Sequence, residues 1–139
     1  MKQTSILIPA MMLIGWTLLV LLLIPYQRFK AFFAGRVSTL DFKFGESAQV
    51  PSEVSMPNRN LMNLLEIPVL FYVLCLTLYV THTADGLAVA LAWVYVGLRA
   101  IHSLIHLGYN HVMHRFAVFA TSNCVLAVLW LKLLLALGD

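Results

Sequence analysis

The chain has 139 residues, of which 61% are hydrophobic and 11% charged, with a mean hydropathy of +0.87. That composition excludes an ordinary soluble domain and fits an integral membrane protein, and the length accommodates about four spans of roughly 20 residues each, joined by short links. The formal charge of +3 comes from few, scattered basic residues that form no stripe or clustered face, so nucleic acid is not expected as a partner.

The first apolar run, from about Ile6 to Ile24, follows Lys2 and precedes Arg28 and Lys30. It is longer than the roughly 7–15-residue core of a secretory signal and ends in Ile24-Pro25-Tyr26, so a retained spanning helix over 5–34 is expected. Tyr26 to Ser55 is the longest polar connection, carrying Arg28, Lys30, Arg36, Asp41, Lys43, Glu46 and Glu53. It reads as a helical end followed by a surface loop with basic anchors for lipid headgroups. In the alternative reading, Arg28 or Arg36 helps to bind an anionic ligand.

The second helix is expected over 57–81, and its first part is unusual. Arg59, Asn63 and Glu66 are spaced i, i+4, i+7, which places a guanidinium, an amide and a carboxylate on one face of a segment otherwise built for lipid. Ionisable residues at the edge of hydrocarbon are costly and normally face a partner, a cavity or a ligand. Pro68 follows two residues after Glu66 and predicts a kink beside this stripe. The short link His82 to Asp85 permits only antiparallel neighbours.

The third helix, expected over 85–107, stays apolar until Arg99, His102 and His106, spaced i, i+3, i+7, with Tyr95 one turn earlier on the same face. A second polar link, Leu107 to Arg115, leads to the fourth helix over 115–137, where Lys132 can snorkel to the interface. Cys75 and Cys124 lie in apolar runs and read as free thiols. The expected fold is all-α, a single transmembrane four-helix domain over 1–139.

The two links that join helices one to two and three to four hold most of the basic residues, whereas the link between helices two and three has no Lys or Arg. The positive-inside rule then places both basic links in the cytoplasm and both termini outside it. Compact loops without long targeting or retention segments point to a bacterial inner membrane. With this topology Arg59, Asn63, Glu66, Arg99, His102, His106 and Arg115 share one membrane depth on the cytoplasmic side, and a single polar pocket is expected there. Arginine forks bind carboxylates and Glu66 can receive an ammonium, so the pocket suits a small zwitterionic, net-anionic ligand. A thiol in that ligand would be favoured as thiolate beside an arginine. Two other readings remain open. Arg59, Glu66 and Arg99 can serve as ion pairs that fix helix packing, and His102 and His106, as H-x-x-x-H, have a metal-capable spacing without a nearby carboxylate pattern, so no metal is expected.

These residues resemble the membrane-associated proteins in eicosanoid and glutathione metabolism, the MAPEG family. The R-x-x-x-N-x-x-E pattern of its second helix is matched by Arg59, Asn63 and Glu66 followed by Pro68, the third-helix pattern by Arg99 and His102, and the arginine near the start of the fourth helix by Arg115. The resemblance implies a homotrimer of four-helix protomers, with glutathione as co-substrate held between subunits at the cytoplasmic side. It further implies that Arg59, Asn63 and Glu66 hold the tripeptide's charged ends, that Arg99 and His102, with His106 beside them, complete the pocket, and that Arg115 stabilises the thiolate. A small hydrophobic substrate would arrive from membrane lipid. The implied activity is that of a glutathione-dependent transferase or peroxidase acting on hydrophobic electrophiles or lipid hydroperoxides; the alternative is a non-catalytic trimer that binds lipid or a glutathione-like ligand. His106 stands where eicosanoid-forming members usually have tyrosine, and Phe116 where one has serine. Prostaglandin or leukotriene synthesis is therefore not expected.

Overall fold

A computed structural model describes residues 2–138. A 3-10 turn, Gln3–Ile6, leads into helix α1 (Leu7–Phe33). Leucine, isoleucine and methionine dominate α1, and in lipid a helix alone satisfies every backbone group within one segment. Pro9 lies in the first turn, where its missing N–H has no intrahelical partner to lose. The helix stops at Gly35, whose φ of +69° is left-handed. Gly35 N donates to Phe32 O at 2.9 Å and Arg36 N to Ala31 O at 3.0 Å, the paired reverse bonds of a Schellman end.

The following loop is ordered by one carboxylate. Ser38 N and Ser38 Oγ donate to Asp41 Oδ2 at 2.8 and 3.0 Å, and Ser47 Oγ donates to Asp41 Oδ1 at 2.8 Å, which braces the 3-10 turn Thr39–Phe42. Val37, Val50 and Val54 pack with Ala31 and Phe42 beneath it. The Ser38 amide, then the Ser47 and Ser38 hydroxyls, hold the Asp41 carboxyl below its ordinary value of 3.8. A depressed carboxyl stabilises the folded loop above the ordinary carboxylate range and loses that contribution as pH falls through the depressed value. Amide exchange across residues 38–47, corrected for its intrinsic pH dependence, is therefore expected to be slow at neutral pH. It should accelerate only in strong acid, and Asp41→Ala should show the fast rate at every pH.

The second span, expected as one helix over 57–81 kinked at Pro68, is two helices, α2 (Ser52–Leu65) and α3 (Pro68–Val80). It begins earlier because Pro51 ends the loop and the polar Ser52-Glu53 pair opens the helix, with Pro57 accommodated inside it. It breaks at Glu66, where ψ is −93°, since Pro68 has no N–H to offer Leu64 O. The kink therefore falls beside the polar stripe. Helix α3 ends in a second Schellman pair: His82, at φ 57°, donates to Tyr79 O at 3.2 Å and Thr83 N to Leu78 O at 3.1 Å.

Helices α4 (Gly86–Leu107) and α5 (Val112–Gly138) complete the bundle. Asp85 caps α4 by accepting from Ala88 N at 2.8 Å and pairs with Lys132 Nζ of α5 at 2.7 Å. Asp85→Ala is expected to lower stability in mild detergent by about 1 kcal/mol, chiefly from the lost cap. Lys132→Ala should cost less, because exposed ion pairs contribute little; thermal unfolding followed by circular dichroism separates the two.

All four spans are long and apolar enough to cross a membrane, and among the described residues there is no β-strand. The core runs through Leu13, Leu64, Phe71, Leu78, Tyr95 and Leu129, while Met11, Leu22, Val80 and Leu135 are exposed. Apolar residues turned outward along spanning helices are what a lipid solvent favours. Helix α4 packs against α1, α2 and α5 and carries the buried polar residues Arg99, His102, Ser103 and His106.

Candidate functional site

The start of α2, the end of α4 and the start of α5 meet at one end of the bundle around a polar cleft of about 350 Å³. Arg59 and Asn63 of α2, His106 of α4, Asn110 of the link and Arg115 of α5 line it. A second opening of about 230 Å³ shares Asn63 and Arg115 and adds His102, Phe116 and Phe119. The left-handed Asn110, at φ 49°, turns the chain from α4 into α5 and accepts a hydrogen bond from Arg115 Nη1 at 2.7 Å, fixing that guanidinium at the mouth. Asn63 Nδ2 donates to Arg59 O at 3.0 Å.

Behind the cleft the interior is polar. Arg99 is fully buried and donates through Nη2 to Asn63 O, a carbonyl left near the helix break. Its guanidinium lies 5.5 Å from the Phe119 ring centroid, and among the described residues no carboxylate comes within ion-pair range of it. Arg99 Nε and Nη1, Tyr95 Oη, His102 Nδ1, His106 Nδ1 and Asn60 Oδ1 are buried without a protein partner. Buried polar atoms are nearly always hydrogen-bonded, and of these residues His106 lines the larger opening and His102 the smaller. Asn60 Nδ2 does find Ser103 Oγ, which ties α2 to α4. The His102 and His106 rings stand edge to face with centroids 6.0 Å apart.

The structure thus gathers Arg59, Asn63, His106 and Arg115 around one cleft, brings His102 to its neighbour, and sets Arg99 behind the wall they share. Glu66 is exposed at the break and lines neither opening. Arg28 and Arg36 lie apart from the cleft: Arg28 pairs with Glu46 of the loop at 2.9 Å and Arg36 with Glu53 in the first turn of α2. Sequence reasoning passed over Asn60, Ser103 and Asn110. Ser103 is i+4 from Arg99 on the same face and was legible by that spacing, whereas the role of Asn110 depends on a backbone turn that no pattern announces.

Four apolar spans with buried polar residues at one end define a multi-pass integral membrane protein with a polar cleft at that end of the bundle. Comparison with curated proteins and with solved structures finds no match. The model of the MAPEG family matches residues 6–135, nearly the whole chain, and the protein belongs to that family.

Proposed function

We propose that this protein is a glutathione-dependent membrane transferase or peroxidase acting on hydrophobic electrophiles or lipid hydroperoxides. It works as a homotrimer, with the cleft facing the cytoplasm of a bacterial cell and both termini on the other side of the inner membrane. The observation that carries this reading is the convergence of Arg59, Asn63, His106 and Arg115, from three helices, on one polar cleft that adjoins an opening lined by Val112, Phe116 and Phe119. Its volume falls in the range of small-molecule sites. Arg59 and Arg115 suit the two carboxylates of glutathione or its thiolate, and Asn63 offers both a donor and an acceptor. Glu66, outside the cleft of a single protomer, suits the ammonium of a ligand held between subunits.

Bound glutathione supplies a thiolate nucleophile. Arg115 supplies the positive charge that keeps the sulfur deprotonated, Asn110 holds that charge in place, and Arg99 braces Asn63. The hydrophobic substrate reaches the sulfur from the lipid side, past Phe116 and Phe119.

A second reading is a trimer that binds glutathione or a lipid without chemistry. Glutathione titrated into detergent-purified protein decides between them. Thiolate absorbance together with conjugation of an aromatic electrophile is the result expected of a transferase. Binding without either signal supports the second reading, and no binding removes the transferase and leaves only a trimer that binds lipid.

A further inference from the structure

The loop after α1 does not run out into solvent. Helix α1 has 27 residues, about 40 Å at 1.5 Å per residue, against a hydrocarbon core of about 30 Å, so its last turns reach the headgroup region. The Schellman turn at Gly35 then reverses the chain. Phe42 of the following 3-10 turn comes to rest against Arg28, with the guanidinium carbon 4.6 Å from its ring centroid. Ile24 and Pro25 help to form the same contact zone. Arg28 precedes Phe33 by about 8 Å along the helix axis, so the turn has come back along α1 by roughly that distance.

Between this turn and α1 lies an apolar slot of about 430 Å³, walled by Ile24, Pro25, Arg28, Phe29, Phe32 and Phe42. Around it stand large apolar side chains with nothing to cover them: Leu40 is 76% and Phe44 93% exposed, and Phe33 is 82% exposed. The Ser38–Asp41–Ser47 network holds the turn that presents Leu40, so its exposure follows from an ordered conformation. The charges are asymmetric as well. Arg28 and Arg36 are neutralised by Glu46 and Glu53, and Asp41 is committed to serines. Among the described residues, Lys30, between the slot residues Phe29 and Phe32, and Lys43, directly after Phe42 and 5.2 Å from the Phe44 ring, have no carboxylate in ion-pair range. Aromatic and aliphatic side chains flanked by free lysines at headgroup depth form the pattern of an interfacial anchor for anionic lipid.

We propose that residues 29–44 form a built-in anchor, in which the slot takes a phospholipid acyl chain of the leaflet on the cleft side, Lys30 and Lys43 bind its anionic headgroup, and Leu40 and Phe44 insert beside it. The assignment is independent of the reaction at the cleft. Phe44→Trp is a conservative probe, because the side chain packs against almost nothing. In vesicles whose phosphatidylcholine carries brominated acyl chains, the fluorescence that this variant adds over the wild-type signal should be quenched at least about threefold more than by aqueous acrylamide. Native mass spectrometry after extraction from mixed phosphatidylcholine and phosphatidylglycerol vesicles should show selective retention of phosphatidylglycerol. That selectivity should fall on the order of fivefold for each of Lys30→Ala and Lys43→Ala, with helicity unchanged. Added fluorescence of the Phe44→Trp variant that acrylamide quenches and bromine does not would put the loop in water and overturn the anchor. Equal retention of the two lipids by the wild type, or selectivity unaltered in the lysine variants, would overturn the headgroup assignment.

Discussion

Arg115→Ala is expected to lower kcat for glutathione conjugation by on the order of a hundredfold, the size of effect seen when one preorganised charge is removed from a developing or persistent anion. Arg115 opens α5 at the junction of both clefts and is fixed by Asn110, so its charge is directed at the space where a sulfur would sit without the entropy cost of a free side chain. Without that cation a bound thiol reverts toward an ordinary value of about 8.5, and only a minor fraction is thiolate at neutral pH. The rate of the variant should therefore climb with pH up to that value, whereas the wild-type rate stays flat over the same interval. Arg115→Lys, which keeps the charge and loses the fork, should recover part of kcat. A variant with normal kcat and a raised KM would show instead that Arg115 only binds, since uniform binding changes KM alone.

Much of this architecture is legible without coordinates, because the bilayer imposes it. A run such as Leu18 to Ile24, or Leu129 to Leu137, has only one comfortable state in lipid, and helix count follows from length. The alignment of Arg59, Asn63, His106 and Arg115 at one end is legible for a related reason: helical spacing and loop charge set the depth of each residue independently of its neighbours. Depth says nothing about azimuth. Glu66 shares the spacing of Arg59 and Asn63 yet lies outside the cleft, since the break at Pro68 redirects the chain at the residue where the stripe would continue. Arg28 and Arg36 show a second limit. Their basicity is plain, but the connection between α1 and α2 folds back and brings Glu46 of the loop and Glu53 of α2 to them, and contacts made across a loop are not periodic.

The second large effect concerns Arg99, whose replacement should abolish binding while leaving stability nearly unchanged. A buried guanidinium without a carboxylate costs folding free energy, and replacing such a charge with an apolar residue of similar volume is often neutral or stabilising. Arg99→Leu also leaves Asn63 O without its donor, a loss of about 1–3 kcal/mol. The two terms oppose each other, so the ligand-free variant should melt close to the wild type in the same detergent. Glutathione should then fail to raise its melting temperature, whereas the wild type gains stability as the logarithm of ligand concentration over Kd. A strongly destabilised ligand-free variant that still responds to glutathione would instead make Arg99 a strut for the helix break and nothing more. Pro68→Ala sharpens the test. With the amide restored at position 68, α2 and α3 can join, and Ile67 N can take over Asn63 O when Arg99 is gone. Pro68→Ala should therefore stabilise the Arg99→Leu background more than it stabilises the wild type. The difference, about 1 kcal/mol in a double-mutant cycle, measures how far the buried arginine is spent on the kinked helix and how much of it remains for a ligand.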